Sequence, residues 1–182
     1  MLTFHHHMGT VVQNPDEVKR LMENTEPEYV SLLFDTGHFA YCGADPLEMA
    51  KTYMHRIRHV HLKDIRPEIV QEVRKKKRSF LDGVRMGHLP YRETELLILN
   101  RYFRFWNVLD MKVYVVEAEQ DPAKANPFEY ALKARKFIRE KTGTCKAGDN
   151  PLDFLRPLLY HRWYKRGRVF YEIEYTCWGF RL

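Results

Sequence analysis

Four short apolar runs stand out along the chain, and we interpret each of them as a β-strand. They are rich in Val, Leu, Phe and Tyr, which favour strands. In the runs at residues 29–35 and 113–119 few polar positions precede the strand end, which is typical of strands in a sheet covered on both faces. The predicted strands are residues 2–7, 29–35, 59–63 and 113–119.

Helix-start signals follow three of these strands. Asn14, Asp45 and Asn126 are each followed by a proline, with an acidic residue one or two positions further on. A capping residue, then proline, then acid is typical of a helix N-terminus. Strands and capped helices that alternate in this way predict a parallel α/β fold with right-handed crossovers.

Polar residues stand at the ends of the predicted strands. Asp35, His61 and Glu117 lie at or near the C-terminal ends of three different strands, where parallel barrels gather their functional groups. We therefore expect the three side chains to converge. One imidazole and two carboxylates suit Mn²⁺, Co²⁺, Fe²⁺ or Mg²⁺ better than a structural zinc held by thiolates.

Length and terminal sequence narrow the class of protein. The 182 residues allow one domain, but a complete eight-stranded barrel takes about 250 residues. No stretch approaches the roughly 20 apolar residues of a membrane span, and the start MLTFHHHMGT lacks the features of a signal peptide. We expect a cytoplasmic protein without a membrane partner.

The net charge of +6 is unevenly distributed. Residues 85–112 hold five basic and three acidic residues and residues 144–182 hold seven and four, so the remainder is nearly balanced. Aromatic residues interleave with Lys and Arg at 101–106 and 160–168, as in modules that bind single-stranded nucleic acid. That function is the alternative from another class. The balanced remainder favours an enzyme that does not bind nucleic acid.

Several motifs resemble a known family. LTFHHHMGTVVQ, LLFDTGHFAYCGADP, HVHLKDIRPEIV and VVEAEQDPAKANPFEYALKA look like segments of the xylose-isomerase-like metal-dependent barrels, and among them of the dehydratases of bacterial inositol catabolism. The resemblance covers residues 2–84 and 115–143. It implies an α/β fold that corresponds to the C-terminal half of an eight-stranded TIM barrel, with parallel strands and alternating helices.

The resemblance also implies a set of metal ligands. The DxxH motif implies Asp35, and the second histidine of HVHLKD implies His61 rather than His59. The first glutamate of EAE implies Glu117 rather than Glu119. Mn²⁺ or Co²⁺ is the cation that such a set implies.

Further roles follow from the same resemblance. His5 stands where superfamily members often have a glutamate, so it is the candidate for the fourth ligand. His38 and Lys63 are the candidate catalytic residues, and His7 and Glu119 are candidate substrate contacts.

The implied reaction is loss of water from the small cyclitol 2-keto-myo-inositol, which gives a trihydroxycyclohexane dione. It needs a base that removes a proton α to the ketone and a cation that polarises the ketone. The alternative within the same barrels is a sugar isomerase or epimerase.

Parts of the chain depart from the family pattern. The first strand resembles the fifth strand of the barrel, so residues 1–143 are interpreted as a partial barrel domain whose open edges favour self-association. Residues 85–114 match no family segment, and we interpret them as frame-shifted. Residues 144–182 are a tail outside the family, in which local patterns predict a helix at 151–164 and a strand at 169–176.

Overall fold

The strands of the protein form one mixed sheet in a computed structural model. The structure describes residues 1–87, 113–117, 126, 129–130, 132–134, 136, 156–165 and 168–178. Its six-stranded sheet has the order β1-β2-β3-β4-β6-β5. The strands are β1 Leu2–His5, β2 Val30–Asp35, β3 Ile57–Leu62, β4 Val113–Glu117, β5 Arg156–Lys165 and β6 Arg168–Trp178.

The first four strands are parallel neighbours. β1 pairs with β2, β2 with β3, and β3 with β4, all in the same direction. Residues 88–112, which connect to β4 and contain most of the segment interpreted as frame-shifted, lie outside the described residues. The prediction of a parallel α/β half-barrel is confirmed.

Helices follow the strands, as the pattern predicts. They are α1 Pro15–Glu23, α2 Thr36–Cys42, α3 Pro46–Tyr53, α4 Pro67–Lys75 and α5 Phe80–Met86. Asn14 Oδ1 accepts a hydrogen bond from Glu17 N (3.0 Å) and Asp45 Oδ1 accepts one from Leu47 N (2.8 Å). Asn126 Oδ1 likewise accepts one from Glu129 N (3.3 Å), so all three predicted caps are confirmed. After Asn126, residues 129, 130, 132–134 and 136 are helical.

The basic run at residues 75–78 stands at the C-terminal end of α4. α4 ends at Lys75, and Lys77 has a φ of 49°. Lys77 N donates to Arg74 O (3.0 Å) and Arg78 N donates to Val73 O (2.9 Å). This pair of bonds is a Schellman motif, which stops the helix and satisfies its last carbonyls.

The tail contains a hairpin instead of the predicted helix. β5 and β6 pair in antiparallel fashion, and β6 also pairs antiparallel with β4. The helix predicted at 151–164 is therefore wrong from Arg156 onward, whereas the strand predicted at 169–176 is confirmed. Tyr and Trp in this segment favour strands, and the pairing of β5 with β6 satisfies the backbone hydrogen bonds of the segment. The edge of β4 that we expected to be open is covered.

The two faces of the parallel sheet differ in chemistry. Apolar side chains from alternate strand positions, such as Leu32, Phe34, Val60 and Leu62, pack with α1, α2 and α3 into one buried core. Because side chains alternate along a strand, the intervening positions face the other side, and the candidate site residues lie there. None of the helices within the described ranges is long and apolar enough to cross a membrane.

Candidate metal centre

The strand ends place the predicted ligands side by side. His5, Asp35 and Glu117 are the last residues of β1, β2 and β4, and His61 is the last but one of β3. Asp35 and His61 are directly paired in register. The C-terminal ends of parallel strands share one edge of the sheet, which is why residues so distant in sequence meet here.

Three of these residues form a compact group of ligand atoms. His5, Asp35 and His61 each offer one such atom, and the three atoms lie within 4.8 Å of one another. Asp35 Oδ2 is 3.4 Å from His5 Nε2 and 3.7 Å from His61 Nδ1. Both Asp35 Oδ2 and His5 Nε2 are buried, and neither makes a hydrogen bond with a described residue. A divalent cation would satisfy both atoms, so these residues fit a metal.

Glu117 and Lys63 extend the group. His61 Nδ1 donates a hydrogen bond to Glu117 Oε2 (2.7 Å). Lys63 Nζ lies 2.9 Å from the same Glu117 oxygen and 3.3 Å from Asp35 Oδ2. Glu117 thus adds a second carboxylate to the buried group, and buried carboxylates are commonly paired with cations or coordinate metals.

The electrostatics keep Asp35 ionised. Burial alone would raise the pKa of Asp35, since the carboxylate is fully enclosed. The charges of Lys63 and His38, together with the adjacent imidazole of His5, outweigh burial and hold this pKa well below its usual value. A carboxylate that stays charged at neutral pH is a competent metal ligand.

The candidate catalytic residues lie against the ligands. His38 is completely buried in the first turn of α2, and its backbone N donates to Asp35 Oδ1 (2.9 Å). His38 Nε2 is 3.2 Å from Lys63 Nζ. The ring of His7 lies beside that of His38, with 3.9 Å between the centroids. Of the remaining candidates, Glu119 lies outside the described residues.

The sequence interpretation did not assign His6. This residue is fully buried, and its ring lies 3.9 Å from that of Phe39. Burial lowers the pKa of His6 to about 3, although the nearby charge of Asp35 acts in the opposite direction. The alternation of side chains in the His5-His6-His7 run could have indicated that the middle histidine leaves the site.

The fold and the clustered ligands together define a parallel α/β half-barrel with a candidate metal centre at the carboxyl-terminal edge of its strands. Comparison with known proteins agrees: the family model described as xylose isomerase-like TIM barrel matches residues 1–141. The chain belongs to this family, whose members are generally metal-dependent.

Curated relatives are similar over the same region. An inosose dehydratase of Bacillus cereus is 52% identical over 143 residues, which are 78% of this chain and 48% of the relative. An inosose dehydratase of Clostridium perfringens is 52% identical over 145 residues, with the same coverage of both chains. The chain therefore spans about half the length of the curated relatives it matches.

Proposed function

We propose that this chain carries the metal-binding part of a hydro-lyase site that removes water from 2-keto-myo-inositol. The observation that carries the proposal is the group of His5, Asp35 and His61 ligand atoms within 4.8 Å at the ends of adjacent parallel strands. The names of relatives that are 50% to 52% identical over about half their length support this substrate.

In the proposed site, Asp35, His61, His5 and Glu117 hold Mn²⁺ or Co²⁺. These cations accept mixed imidazole and carboxylate sets. When bound, such a cation would supply Lewis acidity toward a ketone and a neighbouring hydroxyl.

The proton would be handled by the buried pair of Lys63 and His38. Their nitrogen atoms are 3.2 Å apart, so a proton taken by one can pass to the other. The base removes the proton from the carbon α to the ketone, and the hydroxyl on the β carbon leaves with a proton as water. His7 beside His38, and Glu119 after β4, are the proposed substrate contacts.

The proposal implies a small cyclitol as the partner of this site, with no nucleic acid or membrane involved. We place the protein in the cytoplasm. Self-association through an open sheet edge remains part of the proposal, since β1 has a neighbour on one side only.

The test combines metal binding with turnover. We expect the chain to bind Mn²⁺ in a titration followed by electron paramagnetic resonance, and Glu117→Gln to weaken binding at least tenfold. The matched control is Glu129→Gln, an exposed carboxylate in the helical segment after Asn126. Absence of Mn²⁺ binding, or equal binding by both variants, would contradict the site.

Turnover is measured by incubating the Mn²⁺-loaded chain with 2-keto-myo-inositol and following the ultraviolet absorbance of the dione. The assay is repeated with the other half of the Bacillus cereus relative added as a separate polypeptide. We expect dione formation that requires Mn²⁺. A product of unchanged mass would support the isomerase or epimerase function instead.

A further inference from the structure

Two residues between the predicted ligand Asp35 and the predicted catalytic His38 have no role in the proposed chemistry. Both contact Lys63 from across the β2 and β3 strand ends. We infer that Thr36 and Gly37 are positioning residues that fix the side chain of Lys63 in the site. The inference deepens the proposed function and rests on it only for the catalytic role of Lys63.

Thr36 holds the backbone of Lys63. Its fully buried hydroxyl accepts a hydrogen bond from Lys63 N (2.8 Å) and donates one to Lys63 O (2.5 Å). Lys63 directly follows Leu62, the last residue of β3, where the sheet hydrogen bonds stop. One hydroxyl therefore fixes both the backbone N–H and the backbone carbonyl of Lys63. This sets the direction in which the lysine side chain leaves the strand.

Gly37 makes room for the apolar stem of Lys63. A Cβ at Gly37 would lie 2.6 Å from Lys63 Cγ and 2.8 Å from both Cβ and Cδ. Contacts below 3.0 Å do not occur in practice, so any larger residue must displace the lysine. The stem runs directly over the glycine, which leaves Lys63 only 1% exposed.

The backbone itself does not need a glycine at this position. Gly37 lies inside α2, and the glycines with positive φ among the described residues are Gly9, Gly43 and Gly87. Alanine is the better helix former at an ordinary helical position. The contact with Lys63 is therefore the physical reason for glycine here.

The end of the lysine side chain completes the arrangement. Lys63 Nζ lies 3.3 Å from Asp35 Oδ2 and 3.2 Å from His38 Nε2. Residues 35–38 thus all contact Lys63. The contacts are made by the Asp35 carboxylate, the Thr36 hydroxyl, the backbone of Gly37, which has no side chain, and the His38 imidazole. Together, residues 35–38 fix the position of the Lys63 ammonium group.

A double-mutant cycle tests the role of Gly37. We expect Gly37→Ala to lower the thermal unfolding midpoint of the full chain by several degrees. In the Lys63→Ala background the same substitution should have less than half that effect, because two of the three contacted carbons are gone. Equal effects in both backgrounds would overturn the inference for Gly37.

Nuclear magnetic resonance of lysine labelled with ¹⁵N tests the position of the amine directly. The Lys63 Nζ signal is assigned by its absence in Lys63→Met. We expect Thr36→Val, which keeps the shape but removes the hydroxyl, to shift or broaden this signal, and Thr36→Ser to retain it. Signals that coincide in the wild type and in Thr36→Val would overturn the role of Thr36.

Neither measurement uses Mn²⁺ or substrate, so the two proposals fail separately. A chain that shows the coupling and the shifted signal but binds no Mn²⁺ contradicts the proposed function alone. A chain that binds Mn²⁺ through Asp35 but shows neither effect contradicts the positioning role alone.

Discussion

The carboxyl ends of β2 and β1 both bring titratable groups to the candidate metal centre, but they hold them to different degrees. At the end of β2, the side chains of Asp35 and His38 are completely buried. The backbone N of His38, in the first turn of α2, donates a hydrogen bond to Asp35 Oδ1. At the end of β1, the imidazole of His5 is 25% exposed. The inner strand end thus holds its side chains more completely enclosed than the edge strand end does.

The topology explains this difference. β2 has a neighbour on each side and continues directly into a helix, so Asp35 is both a strand residue and a helix cap. β1 is an edge strand followed by a turn, in which His7 N donates to Val12 O (3.1 Å). Substitutions at the inner end should therefore cost more than equivalent ones at the edge.

The largest effect is expected for Asp35→Asn. The change leaves the Lys63 ammonium with less compensation in a buried site, which costs about 3–5 kcal/mol of unfolding free energy, and it should weaken Mn²⁺ binding more than 100-fold by the ligand loss. Urea unfolding and Mn²⁺ titration at pH 7 measure the two effects.

The matched control is Asp45→Asn, because Asp45 also caps a helix but lies outside the ligand group. Equal losses of unfolding free energy in both variants would contradict the distinction between a ligand and a simple helix cap.

The pH dependence of stability gives a second check on Asp35. Because the folded pKa of Asp35 is lowered, its stabilisation is present above the unfolded pKa of about 3.9 and is lost as the pH falls through the folded value.

His6 gives the next largest effect, and it shows that the β1 end also has a buried side. Its folded pKa of about 3 lies below the ordinary histidine value of 6.5, so the unfolded chain takes up the proton more readily between these values. Stability should fall by about 1.4 kcal/mol per pH unit as the pH decreases below 6.5.

The measurement is urea unfolding between pH 6.5 and pH 5 in the presence of a chelator. His6→Phe keeps a ring against Phe39 but cannot titrate. The slope of the unfolding free energy against pH should therefore become shallower by about 1.4 kcal/mol per pH unit. An unchanged slope would show that the His6 environment does not exclude the proton.

A smaller effect is expected for His5→Ala. The imidazole of His5 is only partly buried and comes from an edge strand, so its loss should weaken Mn²⁺ binding roughly tenfold, or about 1.4 kcal/mol. His55→Ala, at an exposed position outside the site, is the control for loss of a surface imidazole. A loss as large as that of Asp35→Asn would remove the distinction between inner and edge strand ends.

The smallest effect is expected for His7→Ala. The His7 ring contacts His38, and its Nδ1 is 2.7 Å from Met8 O, but His7 is not part of the ligand triad. Mn²⁺ affinity measured by titration should therefore stay within about twofold, or 0.4 kcal/mol. A tenfold loss would place His7 among the ligands.

Much of the site could be predicted because it depends on strand periodicity. Asp35, His61 and Glu117 stand at the ends of apolar runs, and parallel topology alone brings such positions together. The contribution of Thr36 and Gly37 could not be found in this way. It depends on how the end of β3 lies over α2, which is a tertiary contact without a local sequence signal.

In the tail, a local sequence pattern led to a wrong prediction of secondary structure. Residues 151–164 contain apolar residues at helical spacing, and that pattern predicted a helix. The observed strand from Arg156 to Lys165 forms because β6 follows two residues later and offers an antiparallel partner. Pairing between segments decides the state of such ambiguous sequences.

Because β6 is paired with β4, any strand that would complete the barrel at this edge must compete with β6. A closing strand would run parallel to β4, but β6 occupies that edge in the antiparallel direction over residues 113–117. Because β6 is tethered to the same chain, its effective concentration is on the order of millimolar. A second polypeptide must exceed that level or bind more strongly, so we expect removal of the hairpin to promote assembly with a complementary half.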